Sequence, residues 1–139
     1  MKNKKIINIA SQSFILLSTL SLLSVVVMAF NNPQSVMDLV QVKLNNNDAF
    51  SSIRGIYGGA GLAISISLLY FMRKDVTLGL AFLSMLWGFY ALSRIITIFI
   101  EGSLGAFGTQ WLVIESIFFI VAITLLVANR KTVTEDGSY

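Results

Sequence analysis

The chain contains no cysteine and no histidine among its 139 residues. That excludes disulfides, thiolate nucleophiles, thiolate or imidazole metal sites and histidine proton relays. Chemistry is left to carboxylates, guanidinium groups, lysines, hydroxyls and phenols. Proline is nearly absent, with Pro33 alone, so nothing breaks the long apolar runs. Charge is also scarce: 12% of residues are Asp, Glu, Lys or Arg and 55% are hydrophobic. A soluble domain carries about a quarter charged residues, so this composition belongs to a membrane protein.

The net charge of +3 does not indicate nucleic acid, because the basic residues form no patch. They stand at the ends of apolar runs, as topogenic lysines and arginines do. Four runs are long enough to cross a hydrocarbon core of ~30 Å, which takes about 20 helical residues. They cover about 6–30, 53–72, 76–100 and 111–128. This predicts an all-α integral membrane protein, an antiparallel four-helix bundle forming a single domain over 1–139. The segment 31–52, with Pro33 and the run Asn45-Asn46-Asn47-Asp48, reads as an extracytoplasmic loop. A short amphipathic helix fits within it through Val36, Leu39, Val40 and Lys43. Arg73-Lys74-Asp75 reads as a tight turn, Gly102 to Gly108 as a glycine-rich hairpin, and 129–139 as a mobile cytoplasmic tail, polar from Thr132 to Tyr139.

Lys2, Lys4, Lys5, Arg73, Lys74, Arg130 and Lys131 all fall on one side of these spans, and Lys43 lies in a loop on the other. The positive-inside rule then places both termini in the cytoplasm and the long first loop outside. Val27-Met28-Ala29 has the spacing of a signal-peptide cleavage site. Signal h-regions run only ~7–15 residues, however, and the first apolar run is longer. The expectation is a multi-pass protein of a bacterial inner membrane.

Arg54, Arg94, Glu101 and Glu115 lie inside or at the rim of the apolar runs. A charge at the bilayer centre costs at least ~2.5–3.5 kcal/mol, so one is kept where it has a partner or a task. In the second run, Arg54, Gly58, Gly61 and Ser65 fall on one helical stripe, with Gly55 and Gly59 as a small-xxx-small pair beside it. Glycines on a stripe let another helix come close, which makes this a packing groove; an open groove could instead admit a lipid tail. In the third run, Trp87, Tyr90, Arg94, Thr97 and Glu101 share a side, and Tyr57 lies near Arg54 in the second. Depth along sequential helices pairs Arg94 with Glu115, and Arg54 with Glu101 nearer the outer rim. No metal or cofactor is expected, since two arginines beside two carboxylates would repel a cation.

The second-run opening Arg54-Gly55-Ile56-Tyr57-Gly58-Gly59, the pair Ser93-Arg94 followed by Glu101-Gly102, and Glu115 in the fourth run resemble a bacterial four-span family, the domain of unknown function 4345. The family more often has a glycine before the arginine and an aspartate before the later glycine; this chain has Ser93 and Glu101. The resemblance covers most of the chain. It implies the four-span fold and the site positions, and no reaction.

Several functions compete for this cluster. In the first, the arginines hold the anionic or carbonyl head of a lipid-like amphiphile, whose tail occupies the Gly58–Gly61 groove. The same surface could receive a partner membrane protein. In the second, the carboxylates carry protons or ions in an oligomeric transporter or channel. In a third, the ion pairs set only the register of apolar helices. An enzyme using Glu115 as acid or base ranks last, for want of a nucleophile. Membrane lipids, a lipophilic ligand and a second copy of the chain are the expected partners, and nucleic acid is not.

Overall fold

The computed structural model describes the backbone of residues 2–136 and the side chains of 3–131. Every element among the described residues is helical. The order is α1 (Lys2–Asn31), α2 (Pro33–Asp38), α3 (Asn47–Ile53), a π-helical segment (Arg54–Ala60), α4 (Gly61–Lys74), α5 (Val76–Ile100) and α6 (Ala106–Asp136). Four stretches are long and apolar enough to cross a membrane: Asn3–Asn31, Asn47–Lys74, Val76–Ile100 and Ala106–Lys131. The shortest has 25 residues, about 37 Å of helix at 1.5 Å per residue, which exceeds the hydrocarbon thickness.

Caps decide several of the ends, and the expected boundaries move. The second spanning helix starts at Asn47, before Ile53, because Asn46 is an N-cap whose Oδ1 accepts from the Ala49 N–H at 2.8 Å. The asparagine run is therefore a helix start and not the end of a loop. In the first loop, Asn32 caps α2 by accepting from the Gln34 N–H, and Pro33 occupies its first turn. This helix ends at Asp38 and does not run through Leu39, Val40 and Lys43. Gln41 adopts φ 58°, and the Val42 N–H reaches back to the Met37 carbonyl while Gln41 reaches Asp38. This is a Schellman closure with glutamine in the left-handed position that glycine usually fills. The Gln34 amide holds the same segment, donating to Asp38 Oδ1 and the Val42 carbonyl and accepting from the Leu44 N–H.

At the next turn α4 continues through Lys74, and Asp75 alone separates it from α5, capping the Leu78 N–H at 2.9 Å. The link after α5 is shorter than Gly102–Gly108. It turns on Gly102 at φ 104° and ends at Gly105, so Gly108 is already helical. At the far end α6 carries through Asp136. The rest of the tail, 137–139, lies outside the described residues.

The chain divides into two compact units. The first comprises Met1–Ile15 and Phe71–Tyr139. Within it α5 and α6 form a helical hairpin: Trp87 meets Phe118 edge-on at 5.0 Å, and Gly88 accepts the Phe119 ring where a Cβ would stand 2.9 Å from it. The start of α1 joins them through Phe14, 5.5 Å from Phe118, and through Ser11, whose Oγ accepts from Asn129 Nδ2 at 2.6 Å. The second unit is Leu16–Tyr70. Its α2 lies in a small apolar core of Ala29, Val36 and Met37, flanked by Val25, Met28, Leu44 and Ile53.

Candidate functional site

The first unit holds a part-buried ion pair on the α5–α6 hairpin. Arg94 Nε donates to Glu115 Oε2 at 2.6 Å, and Nη2 donates to Oε1 at 2.9 Å. Two parallel bonds from a planar fork to a carboxylate are the strong form of this contact and fix its direction as well as its energy. The two partners are unequally placed. The Glu115 side chain is 3% exposed and that of Arg94 is 24% exposed. Arg94 precedes the end of α5 at Ile100 by about one and a half turns, or ~9 Å of rise. The pair therefore lies below the loop end of the hairpin, within the length of both spans.

One aromatic ring stands against the arginine. The Phe107 ring lies 6.0 Å from Arg94 Cζ, within cation–π range. Phe107 packs in turn on Trp111 at 6.1 Å. Trp87 is buried, and the ring of Tyr90, an exposed residue, lies 6.0 Å from it. Ser93 and Thr97 bond back to the carbonyls of Tyr90 and Ser93. Their hydroxyls thus serve the helix and not the site. Glu101 caps α5, exposed, with its own N–H on the Thr97 carbonyl.

Arg54 and Tyr57 belong to the second unit and stand on the π-helical segment, both exposed. The Arg54 Nε–H points to the Phe30 carbonyl at 3.5 Å. The π segment widens one turn by i→i+5 bonding, a local geometry often found at functional positions. Its glycines divide into two sets. A Cβ on Gly58 would stand 3.0 Å from the Phe30 ring, and one on Gly61 would stand 2.8 Å from Val26 Cγ2. Ser65, fully buried, donates to the Gly61 carbonyl. A Cβ on Gly55 or Gly59 would meet nothing within 4 Å among the described residues. The stripe Gly58–Gly61 therefore faces side chains of α1, the arrangement of a packing groove.

Two contacts escaped the sequence reading. Phe107 was hidden in the glycine-rich link; starting α6 at Ala106 would have placed it one helical turn from Trp111. Asn129 sits just past the expected end of the fourth run, and an amide in an apolar helix is itself a signal for an interhelical bond. A groove of about 480 Å³ also runs along α5 and α6, lined by Ser84, Gly88, Leu92, Ile95 and Phe119 among others. Neither Arg94 nor Glu115 lines it, so it is separate from the ion pair. Among the described residues no group of three or more Asp, Glu, His or Cys side chains is placed to hold a metal ion.

No curated protein and no solved structure matches the chain. The family model described as domain of unknown function (DUF4345) matches residues 10–126, which takes in the second and third spans, most of the first and fourth, the π segment and both members of the ion pair. The chain thus belongs to the DUF4345 family, with four helices long and apolar enough to cross a membrane.

Proposed function

We propose that this protein is a membrane-embedded binding module in which Arg94 presents guanidinium N–H groups to an oxygen acceptor on an amphipathic, lipid-like molecule, and Glu115 aims it. The observation that carries this reading is how the donors of Arg94 are divided. A guanidinium has five N–H groups in a rigid fork. Glu115 takes one from Nε and one from Nη2, and the others find no acceptor among the described residues. They are not sealed in, because Arg94 is a quarter exposed and no buried polar side-chain atom among the described residues lacks a partner. In apolar surroundings an uncommitted donor is costly. An edge of free N–H groups on the flank of a spanning hairpin therefore favours a molecule that brings an oxygen to it. With both termini in the cytoplasm, as the lysine and arginine distribution favours, this edge faces the outer half of the bilayer.

A second reading draws on the same geometry. The bidentate bond joins α5 to α6, and an ion pair of this kind can serve as a register device with no ligand. The two readings separate on extraction from native membranes in mild detergent, followed by native mass spectrometry. Wild-type protein is expected to retain an amphiphile that Arg94→Gln loses by about tenfold or more, the equivalent of one charge-assisted bond. Arg94→Lys keeps the charge without the planar fork and is expected to fold and to lose the amphiphile as well. Equal retention by all three proteins would leave the register device.

A further inference from the structure

The geometry points to a neutral head group as the ligand class of this site: an ester, amide or ketone oxygen, and not a carboxylate or phosphate. The inference rests on the binding reading above and adds the charge of the head. A lone membrane arginine would select an anion, but Arg94 is not alone. Its charge is already balanced by Glu115 through two bonds of 2.6 and 2.9 Å, so the site as built is net neutral. An anion arriving at the free edge would leave a net negative charge among apolar residues, with the Glu115 carboxylate a few ångströms behind the guanidinium. If the anion instead drew Arg94 away, Glu115 would be left as an uncompensated carboxylate only 3% exposed, the costliest way to break a buried pair. A carbonyl oxygen meets neither penalty. It accepts from the free N–H groups without adding charge, and it leaves the Phe107 face beside Cζ to the guanidinium. Glu115 is in this account a positioning residue: it sets the sign of what Arg94 can hold.

The test uses probes that share a tail and differ in the head. Purified protein is reconstituted in nanodiscs of ether-linked phosphatidylcholine, which lacks ester carbonyls, and titrated with monoolein, oleate and oleyl phosphate. Binding is read by native mass spectrometry and by intrinsic fluorescence, Trp111 being in contact with Phe107. Monoolein is expected to bind at least about 100-fold more tightly than either anion, the factor set by stranding or overcharging a buried pair. Glu115→Gln is expected to reverse the order, because it leaves Arg94 a net cation. Wild-type protein that prefers oleate or oleyl phosphate would overturn the inference and leave the binding reading standing. Binding of all three probes unaffected by Arg94→Gln would overturn both. The wild-type ratio needs no variant to fold, so it decides the matter even if Glu115→Gln proves unstable. Repeating the titration in ester-linked lipid separates two sources of the same chemistry. Undiminished monoolein binding indicates a dedicated amphiphile, and competition by the bilayer indicates that the ester carbonyls of bulk lipid are the natural occupant; either outcome supports a neutral acceptor.

Discussion

Removing one member of the Arg94–Glu115 pair should have unequal effects depending on which member is removed, and the inequality can be worked out from exposure. Arg94→Gln leaves the Glu115 carboxylate, 3% exposed, without its cation. Two unit charges ~4 Å apart interact by about 4 kcal/mol at an effective dielectric near 20, and breaking buried pairs by removing one partner destabilises by about 3–5 kcal/mol. Glu115→Gln leaves Arg94, whose side chain is already 24% exposed and long enough to carry its head toward water or lipid head groups. That loss should be about 1.5–3 kcal/mol, the range for a hydrogen bond to a charged group. The exchange, Arg94→Glu with Glu115→Arg, should recover about half of the larger loss, restoring the pair with the bulkier side chain in the tighter position. The assay is equilibrium unfolding in mixed micelles of the two single variants, the exchange and the wild type. Glu115→Gln proving as destabilising as Arg94→Gln would refute the reasoning from exposure. Losses below about 0.5 kcal/mol in both would mean that the pair contributes no more than an exposed ion pair. The exchanged protein is also expected to fold yet lose its amphiphile, since its free donors would sit where Glu115 is buried. Retention of the amphiphile by the exchange would make the pair a register device alone.

Other outcomes follow from the same contacts. Gly58→Leu and Gly61→Leu should each destabilise by about 1–3 kcal/mol through overpacking against Phe30 and Val26, while Gly55→Leu and Gly59→Leu, with nothing within 4 Å, should unfold with the wild type; the same unfolding assay checks all four. Asn129→Leu removes the donor to buried Ser11 Oγ and should lower stability by about 0.6–2 kcal/mol, the range of interhelical hydrogen bonds in membranes; Ser11→Ala in the same background should then add little, and full additivity in a double-mutant cycle would contradict the contact. Because the chain has no cysteine, single cysteines at Asn46, Ser103 and Lys74 report topology cleanly. The first two should label from outside intact cells and the third only after permeabilisation. Labelling of the Lys74 position alone would move the ion pair to the inner half of the membrane.

The four spans were legible in the sequence because they depend on composition and length alone. Some 20 apolar residues in lipid have one way to satisfy their backbone, as helix, and nothing in 6–30 or 111–128 offers an alternative. The charged positions were legible for the same reason: Arg94 and Glu115 stand out against an apolar background whatever the fold. Helix ends were less so. Asn46 reads as loop from the sequence although it is a cap, because asparagine favours both, and only the Ala49 N–H placed 2.8 Å from its Oδ1 distinguishes them. The π segment was invisible, since the periodicity used to read the stripe assumes one residue count per turn.

What the sequence by itself determined about this protein is its solvent, its spans and which charges are out of place, all of which follow from local transfer energies. Tertiary structure alone decided which groups those charges meet. It set Arg94 in a two-bond clasp with Glu115 and left the remaining guanidinium N–H groups without an acceptor among the described residues, filled the Gly58–Gly61 stripe with Phe30 and Val26, and brought Ser11 to Asn129 across 118 positions of chain. Each of these depends on the rotation of one helix about its axis relative to another. That rotation is fixed by the packing of many side chains at once, and no single run of residues encodes it.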